Sequence, residues 1–514
     1  MPAKKLVLAY VDSLRTDMLE RAVEEGRAPT FAALLERGVL VPDCVSSFPS
    51  VTPVACSEMV TGVGADQHWI SGMNWYHRLE RRYVEYGSSL DATRAFGVFR
   101  ALYDLVYNMN LAHLSPEVET LFESLDDAGA RTACTPFLIY RGRHRHEVSL
   151  DGLMRRAVDA TRLKFRHHTW GPTELFYGDL YASREVPCKS TSIPGSRDGY
   201  AACSAAELLK DDRYDFLLLS LPDNDNYSHR HGPEASVESI AKADSCFAKF
   251  VEAAGGLDDF LAGHALILLA DHAQTPVHRG LPLAELLSHK WTVLQPSDDR
   301  PELAQLAVSP TGRAAYVYLL PAEDERAEPM AVATRLAEIE GVDLVCRLET
   351  ASGDPLPRDE PGMPADGGEW AVVERTGERL RFRPGGEVAD LRGGRWEIEG
   401  DHSVLAARIE DGCLRSDEYP DPLARVWSAL TAPHAGDFLV SLALGFEAVD
   451  WGGVTHAGGG SHGSLLAGDS LGPLLFVGCG PDSADARRQW TLRDVAPVVR
   501  EHFGLENKDL KARV

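Results

Sequence analysis

Leu6-Val7-Leu8-Ala9-Tyr10-Val11-Asp12 decides how the rest of the chain is read. Six apolar-rich residues run together and a carboxylate follows at once. An unbroken apolar run of this length, rather than an alternating one, marks a strand covered on both faces. Three later runs repeat the pattern. Phe216-Leu217-Leu218-Leu219-Ser220-Leu221 ends at Pro222-Asp223, and His264-Ala265-Leu266-Ile267-Leu268-Leu269-Ala270 ends at Asp271-His272. Pro473-Leu474-Leu475-Phe476-Val477 ends in Gly478-Cys479-Gly480. With helical patterns between them, these runs predict an α/β fold: a mostly parallel central sheet in a three-layer αβα arrangement. In such sheets ligands bind beyond the carboxyl ends of strands. Asp12, Asp271 and His272 stand at those ends, and Asp225 and His229 begin just past one.

Working outward, Thr30 is placed to N-cap a helix over 31–37, with Gly38 at the C′ position. From 310 to 400 the rhythm breaks. Ala314–Leu319 reads as a strand, 329–340 as a helix and 342–347 as another strand. A Pro/Gly/Asp-rich loop covers 353–368, and 370–374 with 379–383 read as a hairpin around Gly377. We read this stretch as a small α+β cap. The core then comes in two parts, 1–309 and 401–514. The return to the main sheet is expected through Phe438–Leu442 and the glycine-rich loop at 458–463. There is no sequence repeat and no low-complexity tail.

Composition narrows the function. The 514 residues carry 52 Lys+Arg against 77 Asp+Glu, a formal net charge of −25. A nucleic-acid-coating surface needs basic patches, so no stable nucleic-acid partner is expected. A small phosphate ester or nucleotide would need its cleft made locally positive, which bound dications do and this surface does not. The nine cysteines are odd in number, lack CxxC spacing and lie mostly in apolar contexts. They read as reduced, buried thiols. The apolar stretch after Met1-Pro2-Ala3-Lys4-Lys5 is too short for a signal peptide, and no run reaches the length of a membrane span. The expectation is a soluble cytoplasmic protein without a membrane partner.

The candidate site residues each have a plain alternative. Asp225 and His229, at i and i+4, share a helical face and can grip one ion; they could equally be a capping Asp–His pair. Asp223 is a rival without that spacing. Asp271 and His272 would face opposite ways inside a strand, but where the chain turns both reach a pocket. The alternative is a helix-capping Asp beside a surface His. His462 lies in Gly458-Gly459-Gly460-Ser461-His462-Gly463, where glycines permit close backbone approach; a surface loop is the alternative and His456 the rival. Asp12 is a ligand or a turn carboxylate. Thr52 precedes Pro53 and the helical pattern 54–61. Its hydroxyl either sits in the positive field of a helix N-terminus or is an ordinary N-cap with Pro53 at the first helical position. Together, three carboxylates and three imidazoles at strand ends and in loops look like two metal sites of three protein ligands each. The Thr52 hydroxyl beside them points to phosphoryl transfer.

The segments also resemble a family. Phe48-Pro49-Ser50-Val51-Thr52-Pro53, with Thr61-Gly62 following, is similar to the nucleophile segment of the nucleotide pyrophosphatase/phosphodiesterase branch of the alkaline phosphatase superfamily. Asp225 with His229-Arg230-His231-Gly232-Pro233, Leu266 to His272, and Gly460-Ser461-His462-Gly463 resemble its later segments, in the same order. The resemblance implies an alkaline phosphatase-like fold and a hydrolase of phosphoric ester or anhydride bonds. It implies one divalent metal on Asp225, His229 and His462. A second would sit on Asp12, Asp271, His272 and the Thr52 oxygen, with Thr52 as nucleophile through a phospho-threonine. Zinc suits such mixed donors, manganese or iron being alternatives. One departure concerns the Asn that holds a phosphate oxygen in this branch. In His68-Trp69-Ile70-Ser71-Gly72-Met73-Asn74-Trp75-Tyr76 an ungapped match puts Met73 there, and Asn74 takes the role only through a one-residue shift.

Other segments read more plainly. Arg141, Arg143, His144, Arg145 and His146 read as a solvated basic loop rather than a substrate contact, and Arg166-His167-His168 has the same ambiguity. Trp75 and Tyr76 read as packing residues. The competing functions are a phosphonate hydrolase or phosphomonoesterase on the same site and, from another class, a non-catalytic metal-stabilised binding protein. A sulfatase is disfavoured because Cys56 lacks Pro two and Arg four residues later. A cofactor-independent phosphoglycerate mutase would use Ser where Thr52 stands.

Overall fold

The computed structural model describes residues 4–147, 168–178, 180–189, 197–323, 325–356, 358 and 369–507. Its centre is an eight-stranded sheet built on Lys5–Val11. That strand pairs in parallel with Phe216–Leu221 on one side and His264–Leu269 on the other. Thr132–Cys134 and Glu174–Tyr177 continue the parallel run. The apolar runs are strands for the expected reason, since every residue of Phe216–Leu221 and of His264–Leu269 is buried. Leu6, Leu8 and Tyr10 face one core, and Val7, Ala9 and Val11 face the other. Helix Thr52–Thr61 packs into the first core; helices Thr16–Glu24, Arg197–Lys210 and Val237–Glu252 cover the second. Each fully buried Leu or Val contributes about 1.5–3 kcal/mol.

Leu471–Val477 belongs to this sheet but runs antiparallel to both His264–Leu269 and Val39–Val45. Its Gly478-Cys479-Gly480 end therefore lies at the edge opposite the carboxyl ends of the parallel strands. A second, nine-stranded sheet spans 306–442. It holds the expected Ala314–Leu319, Val342–Glu349 and the hairpin Trp370–Arg375/Glu378–Ala389, which turns at Gly377 with φ +88°. It also holds Phe438–Leu442. That strand does not rejoin the main sheet as expected but lies antiparallel between Ala314–Leu319 and Val342–Glu349. The loop expected at 353–368 lies mostly outside the described residues.

Smaller expectations are corrected too. Helix Pro29–Leu35 starts one residue before Thr30, so Thr30 sits inside it and Ala28 is its N-cap. Cys188 and Cys203 form a disulfide with Cα atoms 5.8 Å apart. The other seven cysteines are free, all but Cys479 buried. The cysteine argument for a reducing compartment therefore does not hold. Among the described residues no helix is long and apolar enough to cross a membrane. Arg141 is not a solvated loop residue: it is tied to Glu123 at 3.0 Å and to the carbonyls of Leu114 and Ser115. Arg143 pairs with Asp127 and Glu123, and His146 bonds the Pro172 carbonyl. Arg166 and His167 lie outside the described residues. Trp75 and Tyr76 are buried, as expected of packing residues.

Candidate active site

Two groups of side chains converge at the carboxyl edge of the parallel strands. One is Asp225, His229 and His462; the other is Asp12, Asp271 and His272. In each group one potential ligand atom per residue lies within 4.8 Å of the others. Helix Asp223–His231 starts directly after strand Phe216–Leu221 and carries Asp225 and His229 one turn apart. Asp12 follows Val11, and Asp271-His272 stand just past Leu269.

A small three-stranded sheet brings the distant segments in. Thr275–Leu281 pairs with Gly460–Ser461, Thr275 opposite Ser461, so the residues leaving His272 and entering His462 share one ladder. Two glycines are required here. A Cβ on Gly459 would collide with the His229 carbonyl, and Gly463 has φ +123° with Thr311 O within 2.6 Å of its would-be Cβ.

The imidazoles are pre-oriented. His229 Nδ1 bonds Gly460 O at 2.8 Å and His462 Nδ1 bonds Ser50 O at 2.7 Å. A ring nitrogen that donates to a carbonyl leaves the other as a lone-pair donor. Those Nε2 atoms lie 3.4 and 3.6 Å from Asp225 Oδ1. His272 Nε2 lies 3.1 Å from Asp271 Oδ2, 3.9 Å from Asp12 Oδ1 and 3.3 Å from Thr52 Oγ1. Thr52 is the first residue of helix Thr52–Thr61; Val51 is its N-cap and Pro53 follows in the first turn. The Thr52 hydroxyl therefore turns to the cluster rather than capping its own helix. Ser50 fastens this loop to the His462 loop through its hydroxyl, which donates to Ser464 O and accepts from Gly463 N.

The donors fit dications. Asp12 Oδ1 is buried without a hydrogen-bond partner among the described residues, a costly state that a cation would relieve. Burial pushes the His229, His272 and His462 imidazoles down to about 4, so they are neutral and able to ligate at pH 7. Burial, then Asp271 and Asp225, raises Asp12 well above the usual carboxylate range. Burial likewise pushes Asp271 up to about 6. Burial acts upward on Asp225 as well, but His229, His462 and His272 outweigh it and hold that carboxyl below its ordinary value.

The sign of a pH effect follows. The raised carboxyls bind protons that a dication must displace, whereas the imidazoles have already lost theirs. Metal affinity is therefore expected to weaken as pH falls through about 6, with protons released on binding. Calorimetric titration of metal-free protein with zinc, in two buffers of different ionisation enthalpy, reads this directly. Affinity that is flat from pH 5 to 7.5, or net proton uptake, would contradict it.

The rival residues have other partners. Asp223 bonds the Asp198 backbone N–H and ion-pairs with Arg197 and Lys242. His456 bonds Glu447 Oε1 at 2.7 Å and stacks on His229, ring centroids 3.9 Å apart, outside both groups. Asn74 opens strand Asn74–His77; its amide nitrogen donates to Pro310 O, and none of its bonds reaches the six ligands. Three residues at the site carried no signal in the sequence. Ser13 and Gln274 bond inside the cluster, and Arg313 lies beneath it. Arg313 pairs with Asp469 at 2.6 Å, both side chains fully buried, and its backbone N–H donates to His462 O.

A family model described as type I phosphodiesterase / nucleotide pyrophosphatase matches residues 6–347. The fold is similar to phosphonoacetate hydrolase from Sinorhizobium meliloti 1021 in complex with phosphonoformate. The TM-score is 0.53 at 16% identity, covering 98% of this chain and 96% of that one. It is also similar to murine ectonucleotide pyrophosphatase / phosphodiesterase 5, with a TM-score of 0.54 at 13% identity and the same shares of 98% and 96%. An inactive form of the murine protein in complex with AMP gives a TM-score of 0.54 at 12% identity, again covering 98% and 96%. No curated protein matches the chain. These likenesses establish an alkaline phosphatase-like fold around the mostly parallel sheet.

Proposed function

Because the chain belongs to the type I phosphodiesterase / nucleotide pyrophosphatase family of the alkaline phosphatase superfamily, a family of phosphoester-type hydrolases, we propose that it cleaves phosphoric ester or anhydride bonds through a phospho-threonine on Thr52. The observation that carries this reading is the Thr52 hydroxyl. It is free of its own helix cap and stands 3.3 Å from His272 Nε2, beside six convergent ligands. Asp225, His229 and His462 would hold one divalent cation, and Asp12, Asp271 and His272 with Thr52 Oγ1 the other. Zinc suits this donor set, with manganese or iron as alternatives. When bound, two dications supply the positive charge that makes a threonine hydroxyl nucleophilic at neutral pH and that offsets charge on the phosphoryl oxygens.

The chain's own residues then position and exchange groups. Thr52 Oγ1 forms the bond to phosphorus as the bond to the leaving oxygen breaks, in line, and its proton passes to solvent. Water attacks the phospho-threonine in the second step and restores the hydroxyl. At the start of helix Thr52–Thr61, Pro53 has no N–H and the N–H groups of Val54 and Ala55 donate to Val51 O, which leaves the Thr52 N–H to meet the anion. We assign Asn74 to holding the end of strand Leu306–Thr311 rather than the phosphate: Asn74 bonds Pro310 O, Met73 N donates to Thr311 Oγ1, and Gly463 packs on Thr311 O.

The test is a panel of an activated diester, a monoester, a nucleoside pyrophosphate and a phosphonate, each with added zinc or manganese. The diester or pyrophosphate is expected to turn over fastest. Preference for the monoester or the phosphonate would move the reading to those classes. Turnover of none, with metal bound, would leave a binding protein.

A further inference from the structure

Among the described non-glycine residues of the site, Ser13 alone has its backbone in the left-handed region: its φ is +57°, and it is buried. A residue with a Cβ is strained there and persists only where its surroundings over-determine it. What surrounds Ser13 is both ligand groups at once. Its hydroxyl donates to Asp225 Oδ1 at 2.8 Å, in the first group, and lies 3.1 Å from His272 Nδ1, in the second. Its backbone N–H donates to Asp271 Oδ1 at 3.1 Å. Gln274 closes the ring: its amide nitrogen donates to Asp225 Oδ1 at 2.7 Å and to Ser13 Oγ at 3.2 Å.

The proton count of a hydroxyl fixes the pattern. Ser13 Oγ has one proton and two acceptor sites. The proton goes to Asp225, which can only accept. The acceptor sites then take Gln274 Nε2–H and His272 Nδ1–H. That makes His272 an Nδ1–H tautomer, and its contact of 3.2 Å with the Ala273 carbonyl agrees. Its Nε2 lone pair is thereby turned toward Asp12, Asp271 and Thr52.

We propose that Ser13, with Gln274, is a positioning clamp that joins the two ligand groups, orienting Asp225 for one and fixing the ligating tautomer of His272 for the other. This deepens the reading of the site as a two-cation centre and rests on it. The consequence is coupling: filling one group sets up the other, so the two ions bind as a linked pair. Outer-shell partners of this kind change metal affinity by about 10–100-fold when removed.

The experiment is calorimetric titration of the metal-free full chain with zinc, alongside metal analysis, for wild type, Ser13→Gly, Ser13→Ala and Gln274→Met. Ser13→Gly deletes the hydroxyl and relieves the backbone; Ser13→Ala deletes the hydroxyl and keeps the Cβ. Thermal unfolding of the metal-free variants confirms that each folds. The clamp predicts that both Ser13 variants lose about 10–100-fold in zinc affinity at both steps. It also predicts that Ser13→Gly is the more stable of the two when metal-free, and that Gln274→Met shows the smaller loss. Wild-type binding in Ser13→Gly, or weakening of one step alone, overturns the clamp while leaving the two-cation reading intact. A wild-type chain that binds neither zinc nor, in parallel titrations, manganese or iron(II) overturns the two-cation reading itself.

Discussion

Thr52→Ala is expected to reduce turnover of the best substrate by on the order of 10⁴-fold or more while metal content stays near wild type. The physical basis is the division of labour at the edge of the sheet. The six candidate Asp and His ligands are carried by two strand ends, one helix and one glycine loop. Thr52 adds a hydroxyl to one group but is not needed to assemble either. Removing its oxygen and methyl leaves helix Thr52–Thr61 in place, because every residue from Pro53 to Thr61 is buried and Val51 is the N-cap. The discriminating readout is the split itself. Lost activity with two ions retained identifies the nucleophile. Lost activity with lost metal would make Thr52 chiefly a ligand, and full activity would remove it from the mechanism.

Arg313→Met is expected to cost about 3–5 kcal/mol of stability, measured by denaturant unfolding of metal-free protein. Arg313 and Asp469 are fully buried, 2.6 Å apart. Asp469 also accepts from the Ser464 N–H and hydroxyl and from Thr275 Oγ1, while Arg313 donates to the carbonyls of Ala443 and Phe446. This node ties together the chain just past His272, the chain just past His462 and the second sheet. Truncating the arginine strands a carboxylate in a dry interior, which costs more than the pair itself is worth. The double variant Arg313→Met with Asp469→Asn is therefore expected to recover part of the loss, a coupling that a double-mutant cycle measures. Simple additivity would show that the two charges do not interact as described.

What the chain disclosed in advance follows from how local each signal is. Asp12 and Asp271-His272 were legible because a buried strand must end, and polar residues at its carboxyl end need a purpose. Asp225 and His229 were legible through helix spacing. The place of Phe438–Leu442 was not, because a five-residue apolar strand looks the same in either sheet. The direction of Leu471–Val477 was equally hidden, being set by tertiary pairing. Cys188 and Cys203 gave no hint of pairing, since connectivity depends on which loops meet in space. Ser13 and Gln274 were missed for a related reason. Their importance lies in a positive φ and in hydrogen bonds across 212 and 49 positions of sequence, which no motif records. The basic cluster at 141–146 reads as a solvated loop, but Arg141 is tucked against Glu123, 18 positions away, a pairing that no local motif records.

Anomalous diffraction from crystals of the zinc-loaded chain tests the account at its root. Two peaks are expected, one enclosed by Asp225, His229 and His462, the other by Asp12, Asp271 and His272 with Thr52 Oγ1 beside it. A single peak, or zinc held elsewhere with these six side chains unligated, would contradict the account.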